Sequence, residues 1–192
     1  MVCREDMNII FEKASIKYQE LIFSWLKEPH IVEFWDNSQE HKEDILNFIY
    51  ARKQHYFYGT TIYWVGLIDN EPYCFILSDI VGYHQELPEL HRNNLSKLGN
   101  TIVLDFGIGN KKYLGQGLAA PTLQKFISFY QNSVDSLADT FFIDPDQNNR
   151  RAQHVYDKAG FELVGKYDIK AGAFEGNISQ LRVKKLLENP LK

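Results

Sequence analysis

The sequence predicts an α+β fold, a three-layer α/β sandwich in which a mixed, mostly antiparallel sheet is flanked by helices. Three observations carry this expectation. Residues 60–68 and 71–78 are runs of β-branched, aromatic and apolar residues on either side of Asp69-Asn70, the pattern of a β-hairpin closed by a tight turn. Other stretches repeat apolar residues at three- and four-residue steps, the spacing of an amphipathic helix. A strand-like run from Asn100 to Gly109 leads through a basic, glycine-rich turn into such a helix, whose apolar positions are Leu118, Leu123, Phe126 and Ile127.

Taken in order, residues 8–14 read as a first strand. Tyr18, Leu21, Ile22, Trp25 and Leu26 then share one helix face, with Ser15 as the expected N-cap and Pro29 as the stop, because the residue before proline is pushed out of the α region. In His30-Ile-Val-Glu-Phe-Trp35 the pair Phe34 and Trp35 either fills core or walls a pocket, while His30 alone reads as a hydrogen-bonded structural residue. A second helix is expected over residues 39–54, with Ile45, Phe48 and Ile49 inward and Glu40, Lys42, Glu43, Arg52 and Lys53 on a solvated face. After the hairpin, residues 79–99 show no clear period and hold Tyr83, His84, Glu86, Glu89, His91 and Arg92. Long irregular connections inside a compact domain are uncommon and frequently functional. Residues 139–144 read as a short buried strand stopped by Pro145. Asn148 or Asn149 caps a helix that runs to Lys158 and ends at Gly160, and residues 161–165 and 178–186 complete the sheet.

The chain of 192 residues is expected to be a single domain over 1–192, and 44% apolar with 24% charged residues is ordinary for a soluble globular protein. Its formal charge of -4 argues against a general nucleic-acid or membrane-surface binder and suits a positively charged small-molecule partner. No apolar run reaches the roughly 18 residues that a membrane span needs. Met1-Val-Cys-Arg-Glu-Asp lacks the hydrophobic core of a signal peptide, so a cytoplasmic location is expected. Cys3 and Cys74 make neither a metal cluster nor a disulfide framework. No metal and two free thiols are expected, with Cys74 buried. Monomer and homodimer both remain open.

The turn Asn110-Lys-Lys-Tyr-Leu-Gly-Gln-Gly117 carries chemistry of its own. The first N–H groups of the following helix have no internal partner and its dipole adds positive potential, so a phosphate is the natural ligand. Gly115 and Gly117 let an anion approach the main chain and make φ > 0 accessible, and Lys111 and Lys112 add charge. Gly107 and Gly109 loosen the strand end, pointing to a bulge or to the approach of a ligand. Gly115-Gln-Gly-Leu-Ala-Ala120 formally matches a dinucleotide fingerprint. That pattern wants its glycines directly after the strand within repeated βαβ units, whereas here a polar stretch intervenes and hairpin-like strands come before. A helix start with spare glycines is the plain alternative, and a second phosphate-binding reading depends on the rest of the chain.

The block Asp144-Pro-Asp-Gln-Asn-Asn-Arg-Arg-Ala-Gln-His-Val-Tyr-Asp-Lys-Ala-Gly-Phe161, together with the earlier Lys112-x-x-Gly-x-Gly117 turn, resembles the GNAT superfamily of acetyl-CoA-dependent N-acetyltransferases. The two motifs in this order and spacing are specific; either alone is not. The resemblance implies a GNAT-like sheet with a strand splay that holds acetyl-CoA, its pyrophosphate on the glycine turn. Lys112 stands where glutamine or arginine is usual and keeps the positive charge. The cofactor site so implied comprises Phe106, Gly107, Ile108, Lys112, Tyr113, Leu114, Gly115, Gln116, Gly117, Leu118, Asn149, Ala152 and Lys158. Trp25-Leu-Lys-Glu-Pro-His-Ile-Val-Glu-Phe-Trp35, the Asp-Pro start at Asp144 and the spacing from Asp105 to Gly115 look like the aminoglycoside 6'-N-acetyltransferases and their siderophore-acetylating relatives. At the strand position of Asp105 the siderophore type generally carries histidine and the aminoglycoside type aspartate. Residues 79–99 depart from the tryptophan- and acid-rich acceptor loop of the best-known members.

On this resemblance Asp105 binds the acceptor ammonium and takes its proton, and Tyr156 protonates the coenzyme A thiolate. A backbone N–H near Gly107 and Ile108 polarises the thioester carbonyl, and Asp144 joins Asp105 in attracting the acceptor amine, with Trp35, Glu86 and Glu89 as further candidates for the acceptor wall. Outside this context an aspartate in a strand is usually a hydrogen-bonded or edge residue, and a tyrosine on a helix a core aromatic. The expected activity is acetyl transfer to a primary amine of a small polycationic acceptor, the 6'-amine of an aminoglycoside, in a ternary complex, which would be an antibiotic-resistance activity. Two alternatives stay open. One is acetylation of a hydroxylated lysine, a siderophore precursor or a polyamine, with His84 or His91 replacing the missing strand histidine. The other is a non-catalytic acyl-CoA-binding sensor.

Overall fold

The structure is a computed structural model and describes residues 8–186; Cys3 lies outside the described residues. In chain order the elements are β1 (Ile9–Lys13), a 3-10 turn at Ile16–Tyr18, α1 (Gln19–Trp25), α2 (Pro29–Val32), α3 (Gln39–Ile49), β2 (Ile62–Ile68) and β3 (Glu71–Val81). They continue with α4 (Glu89–Arg92), β4 (Asn100–Ile108), a 3-10 turn at Lys111–Tyr113, α5 (Ala119–Ser133), β5 (Ala138–Ile143), α6 (Arg150–Ala159), β6 (Glu162–Asp168) and β7 (Ile178–Lys185). The strands form one seven-stranded sheet in the order β1-β2-β3-β4-β5-β7-β6. Every neighbouring pair is antiparallel except β4 with β5. A single parallel pair does not make the repeated parallel frame of a dinucleotide-binding fold, which removes that reading of the glycine turn.

Helices cover both faces, as the alternation of side chains along the strands requires. On one face Leu123, Phe126, Ile127 and Tyr130 of α5 pack against Trp64, Ile76, Ile102, Leu104 and Phe141. On the other, Ile22 and Trp25 of α1 and Ile45 of α3 pack against Tyr63, Val65, Phe75 and Leu77. The hairpin turn is as expected: Asp69 (φ 50) and Asn70 (φ 67) both take the left-handed conformation of a primed turn. Cys74 is a buried free thiol. Among the described residues no helix is long and apolar enough to cross a membrane, and no group of three or more His, Cys, Asp or Glu could hold a metal ion.

Several elements differ from the sequence reading, each for a physical reason. Ser15 precedes the 3-10 turn and its side chain caps nothing. Pro29 does not stop α1, which has already ended at Trp25; it opens α2 from the first helical position, where its fixed φ is an advantage. The second helix ends at Ile49 rather than near residue 54, and Ala51 turns left-handed with φ 51. Asp44, only 1% exposed, explains the early end. Its carboxylate accepts hydrogen bonds from the main-chain N–H groups of His55 and Tyr56, from the Gln54 amide and from the Tyr63 hydroxyl, folding the chain back over the helix.

The end of β4 holds no bulge: its register with β3 is unbroken from Thr101 against Val81 to Ile108 against Cys74. Gly107 and Gly109 are there for packing. A Cβ on Gly109 would lie 2.2 Å from ring atoms of Trp25, and one on Gly107 would lie 2.8 Å from Ile31 Cδ1. The glycines let α1 and α2 close on the strand end. Gly109→Ala is therefore expected to destabilise the fold by about 1–3 kcal/mol through overpacking, read as a lower midpoint in urea or thermal unfolding; a variant as stable as the parent would refute this packing account.

Candidate active site

A cleft of about 1180 Å³ opens where two strands part. The parallel pairing of β4 with β5 covers only Asn100–Val103 against 138–142. Beyond it β4 continues beside β3 alone, while Ile143 of β5 pairs only with β7. The exposed end of β4 (Asp105, Phe106, Gly107, Ile108) forms the floor of the cleft. One wall is the turn into α5 (Tyr113, Leu114, Gly115, Gly117, Leu118), and another is the inner face of α6 (Asn149, Ala152, Tyr156). Trp35, Asp36, His41 and Tyr56 close the far side.

The glycine turn is built for an anion. Asn110 caps it by accepting from Lys112 N–H at 3.1 Å, and Gly115 (φ 73) and Gly117 (φ 71) take conformations that favour glycine. A Cβ on Gly115 would meet nothing within 4 Å, so the space above the turn is open to a ligand. The two lysines do not serve it as expected. Lys112 Nζ lies 2.5 Å from Glu71 Oε2 and Lys111 Nζ 2.5 Å from Glu28 Oε2, and neither side chain lines the cleft. Anion attraction falls to the unpaired N–H groups at the start of α5, with Arg151 and His154 of α6 as cationic or polar lining. An open, glycine-lined helix start of this kind fits a pyrophosphate.

Asp105, half-buried in β4, and Tyr156, buried on α6, face the same cleft as Asp144, which follows β5. Burial pushes the Asp105 carboxyl up to about 7, and the negative charges of Asp144 and Asp36 add to the shift. The Tyr156 hydroxyl is pushed up from its ordinary value, first by burial and then by the charges of Asp105 and Asp144, with Arg182 acting the other way. At neutral pH it keeps its proton. Asp144 accepts a hydrogen bond from the Tyr167 hydroxyl. His91 Nε2 stands 3.6 Å from the same carboxylate oxygen, an electrostatic contact too long for a hydrogen bond.

With the splayed strands, the anion-binding turn and the capped helix in place, comparison with known proteins identifies the family. Residues 19–169 match the family described as acetyltransferase (GNAT) domain. The chain belongs to the GNAT acetyltransferases. Aminoglycoside N(6')-acetyltransferases type 1 of Klebsiella pneumoniae and Serratia marcescens are each 24% identical over 156 residues, covering 76% of this chain and 69% of theirs. Among solved structures, aminoglycoside N(6')acetyltransferase from Legionella pneumophila superposes with a TM-score of 0.72 at 21% identity, over 94% of this chain and 93% of that one. AAC(6')-Ib in complex with coenzyme A and kanamycin gives 0.67 at 18% identity, over 93% and 95%. The GNAT enzyme takes its acetyl group from acetyl-CoA, and the open glycine turn is the part of this structure that fits the coenzyme.

Of the residues expected to form the acetyltransferase site, the fold brings most to one cleft: Trp35, Asp105, Phe106, Gly107, Ile108, Tyr113, Leu114, Gly115, Gly117, Leu118, Asp144, Asn149, Ala152 and Tyr156 all line it. Asn149, the helix cap, accepts from Ala152 N–H at 3.0 Å. Lys112, Gln116 and Lys158 are not among the lining residues, and neither are Glu86 and Glu89, which are exposed on the 79–99 segment. His84 is exposed and His91 is buried behind Asp144, so neither stands in for a strand histidine. The sequence gives no functional signal for Asp36, His41 and Tyr56, which also line the cleft, while His30 is the hydrogen-bonded structural residue expected of it, its Nε2–H donating to Ile108 O at 2.8 Å and pinning the end of β4. Asp36 and His41 lie near Trp35 in the sequence, whereas Tyr56 follows α3 and reaches the cleft only through the fold.

The raised Asp105 pKa fixes the sign of a stability effect. Between its ordinary value of 3.8 and about 7 the folded state holds a proton that the unfolded chain has lost, so this group's contribution is full below about 4 and is lost as pH rises through 7. Urea unfolding of the parent and Asp105→Asn should show the variant gaining stability over the parent as pH rises from 4 to 8. A constant difference across that range would show that Asp105 titrates normally.

Proposed function

We propose that this GNAT enzyme acetylates a primary amine of a small polycationic acceptor, and that this amine is the 6'-amine of an aminoglycoside. One observation carries the reading. Asp105 and Tyr156 face a single cleft in opposite states, a carboxyl poised near neutral pH and a phenol that stays protonated, which is how an enzyme separates a base from an acid. The named relatives, whose reaction is acetylation at N(6'), support the choice of acceptor.

Bound acetyl-CoA supplies a thioester whose C–S bond breaks as the C–N bond of the amide forms. Asp105 attracts the acceptor ammonium and takes a proton from it, directly or through a water, leaving a neutral nucleophile. The ammonium itself lowers the pKa of Asp105 as it binds, since an opposite charge favours the carboxylate. Around Gly107 and Ile108 the edge of β4 is no longer paired with β5, which supports a main-chain N–H there as the group that holds the carbonyl oxygen as it gains charge. Tyr156 gives its phenolic proton to the departing thiolate and is reprotonated, directly or through a water, by the proton that the amide nitrogen sheds. Asp144, anchored by Tyr167, draws the rest of the cationic acceptor into place. On this reading the enzyme confers resistance by modifying a drug in the cytoplasm, where acetyl-CoA is supplied.

The test is release of free coenzyme A thiol from acetyl-CoA with aminoglycosides that have or lack a free 6'-amine, beside spermidine and N-hydroxylysine. Turnover is expected only with the free 6'-amine; turnover confined to spermidine or N-hydroxylysine would overturn the proposed acceptor. Tyr156→Phe should lower kcat by about 10²–10⁴ while acetyl-CoA still binds, and unchanged turnover would remove Tyr156 from the mechanism. For the parent, kcat/KM should rise with pH through a limb near 7, the free-enzyme value for Asp105. If Asp105 is the base, Asp105→Asn abolishes that limb.

A further inference from the structure

We propose that Asp36 selects the acceptor by binding a second ammonium group beside the reacting amine, so that the preferred substrate is a hydroxylated diamine of amino-sugar type. This rests on the acetyl-transfer reading above and goes beyond it by assigning a specificity-determining carboxylate on the side of the cleft opposite α6.

The carboxylate is a built feature. Asp36 Oδ1 accepts from Ser38 N–H at 2.7 Å and Oδ2 accepts from the Tyr56 hydroxyl. Its main-chain carbonyl accepts from His41 Nδ1–H at 2.8 Å. Tyr56 is held in turn by Asp44, which binds the N–H groups of His55 and Tyr56. All these donors are neutral, and burial lowers the pKa of His41, keeping the imidazole uncharged. Among the described residues no lysine, arginine or histidine forms an ion pair with Asp36 or Asp105. Two carboxylates in one cleft within electrostatic reach of each other, with no cation between them, call for a ligand that brings two positive charges.

A second observation gives the rest of the ligand. Trp35, His41 and Tyr56 form a ladder of rings, with His41 stacked 4.8 Å from Tyr56 and 6.2 Å from Trp35. All three line the cleft beside Asp36. Trp35 Nε1 and His41 Nε2 are buried without a hydrogen-bond partner, a state that natural cores rarely leave uncompensated. Because Nδ1 of His41 carries the proton, the bare Nε2 is an acceptor, and the indole N–H of the stacked Trp35 is a donor. A hydroxyl, donor and acceptor in one group, is the chemistry that matches a wall offering both. An ammonium on Asp36 with a neighbouring hydroxyl against the ladder is the arrangement found on an amino sugar, whereas a simple polyamine has no hydroxyl to offer.

The test compares two acceptors, a hexose with one exocyclic primary amine and the same hexose with a second amine on the ring, in the parent, Asp36→Asn and Tyr56→Phe. The parent should prefer the diamine in kcat/KM. Asp36→Asn should cut that preference by about 10- to 100-fold, the range for loss of a charge-assisted hydrogen bond, mainly through KM for the diamine. Tyr56→Phe, which keeps the charge and loosens its support, should reduce the preference less but in the same direction. Equal losses with both acceptors, or an unchanged preference in a variant that still binds acetyl-CoA, would overturn the role of Asp36 while leaving acetyl transfer intact. Absence of turnover by the parent with any amine would overturn both readings together.

Discussion

The parting of β4 from β5 after Val103 is the constraint on which the rest of this enzyme depends. A parallel pair normally continues until one strand ends, but here both strands go on with other partners, β4 with β3 and β5 with β7. The wedge between them can face a ligand because the departing edge of β4 keeps its other ladder. α6, capped by Asn149 and closed at Gly160 with φ 89, walls the opening and turns Tyr156 into it. The strand end itself is kept in line by packing rather than by pairing, with Trp25 against Gly109, Ile31 against Gly107, and His30 on the Ile108 carbonyl.

Charge is divided along the cleft by different means at its two ends. At the donor end both lysines of the turn are tied to acids, Lys111 to Glu28 and Lys112 to Glu71, so the anion-binding capacity resides in main-chain amides whose positions are fixed. Fixed dipoles need no reorganisation when a phosphate arrives. At the other end Asp36, Asp105 and Asp144 share a space in which the described basic side chains leave their charge largely unbalanced, His91 standing 3.6 Å from Asp144. Burial, with the charges of Asp144 and Asp36 adding to it, holds Asp105 near 7, so its charged form is disfavoured until an opposite charge comes near.

Stability and the shape of the cleft meet at Asp44. It is buried, it terminates α3, and through the main chain of His55 and Tyr56 it sets the position of the ring that supports Asp36. The 50–60 stretch, with left-handed Ala51 and Phe57, is thus a shaped wall rather than a linker. The 79–99 segment has a different part: its one turn of helix, α4, puts His91 beneath Asp144 and edge-on to Tyr167, so the segment supports the cleft from behind.

What the sequence determined by itself was whatever depends on near neighbours in the chain. The Asp69-Asn70 turn, the apolar faces of α1 and α5, the Asn149 cap and the Gly160 stop are local conformational preferences, and the glycine turn followed by the 144–161 block located most of the cleft. Only the tertiary structure decided the rest, because it turned on partners far apart in sequence. Lys112 is neutralised by Glu71, α3 ends where Asp44 captures amides beyond it, and Gly109 is required by Trp25. Glu86 and Glu89 were plausible acceptor ligands by composition, yet the segment that bears them turns them to solvent, while Asp36 faces the cleft because Tyr56 and His41 hold it there. A carboxylate's chemistry is set by its surroundings, and those are assembled from several elements at once; the residue type is written in the sequence, its environment only in the fold.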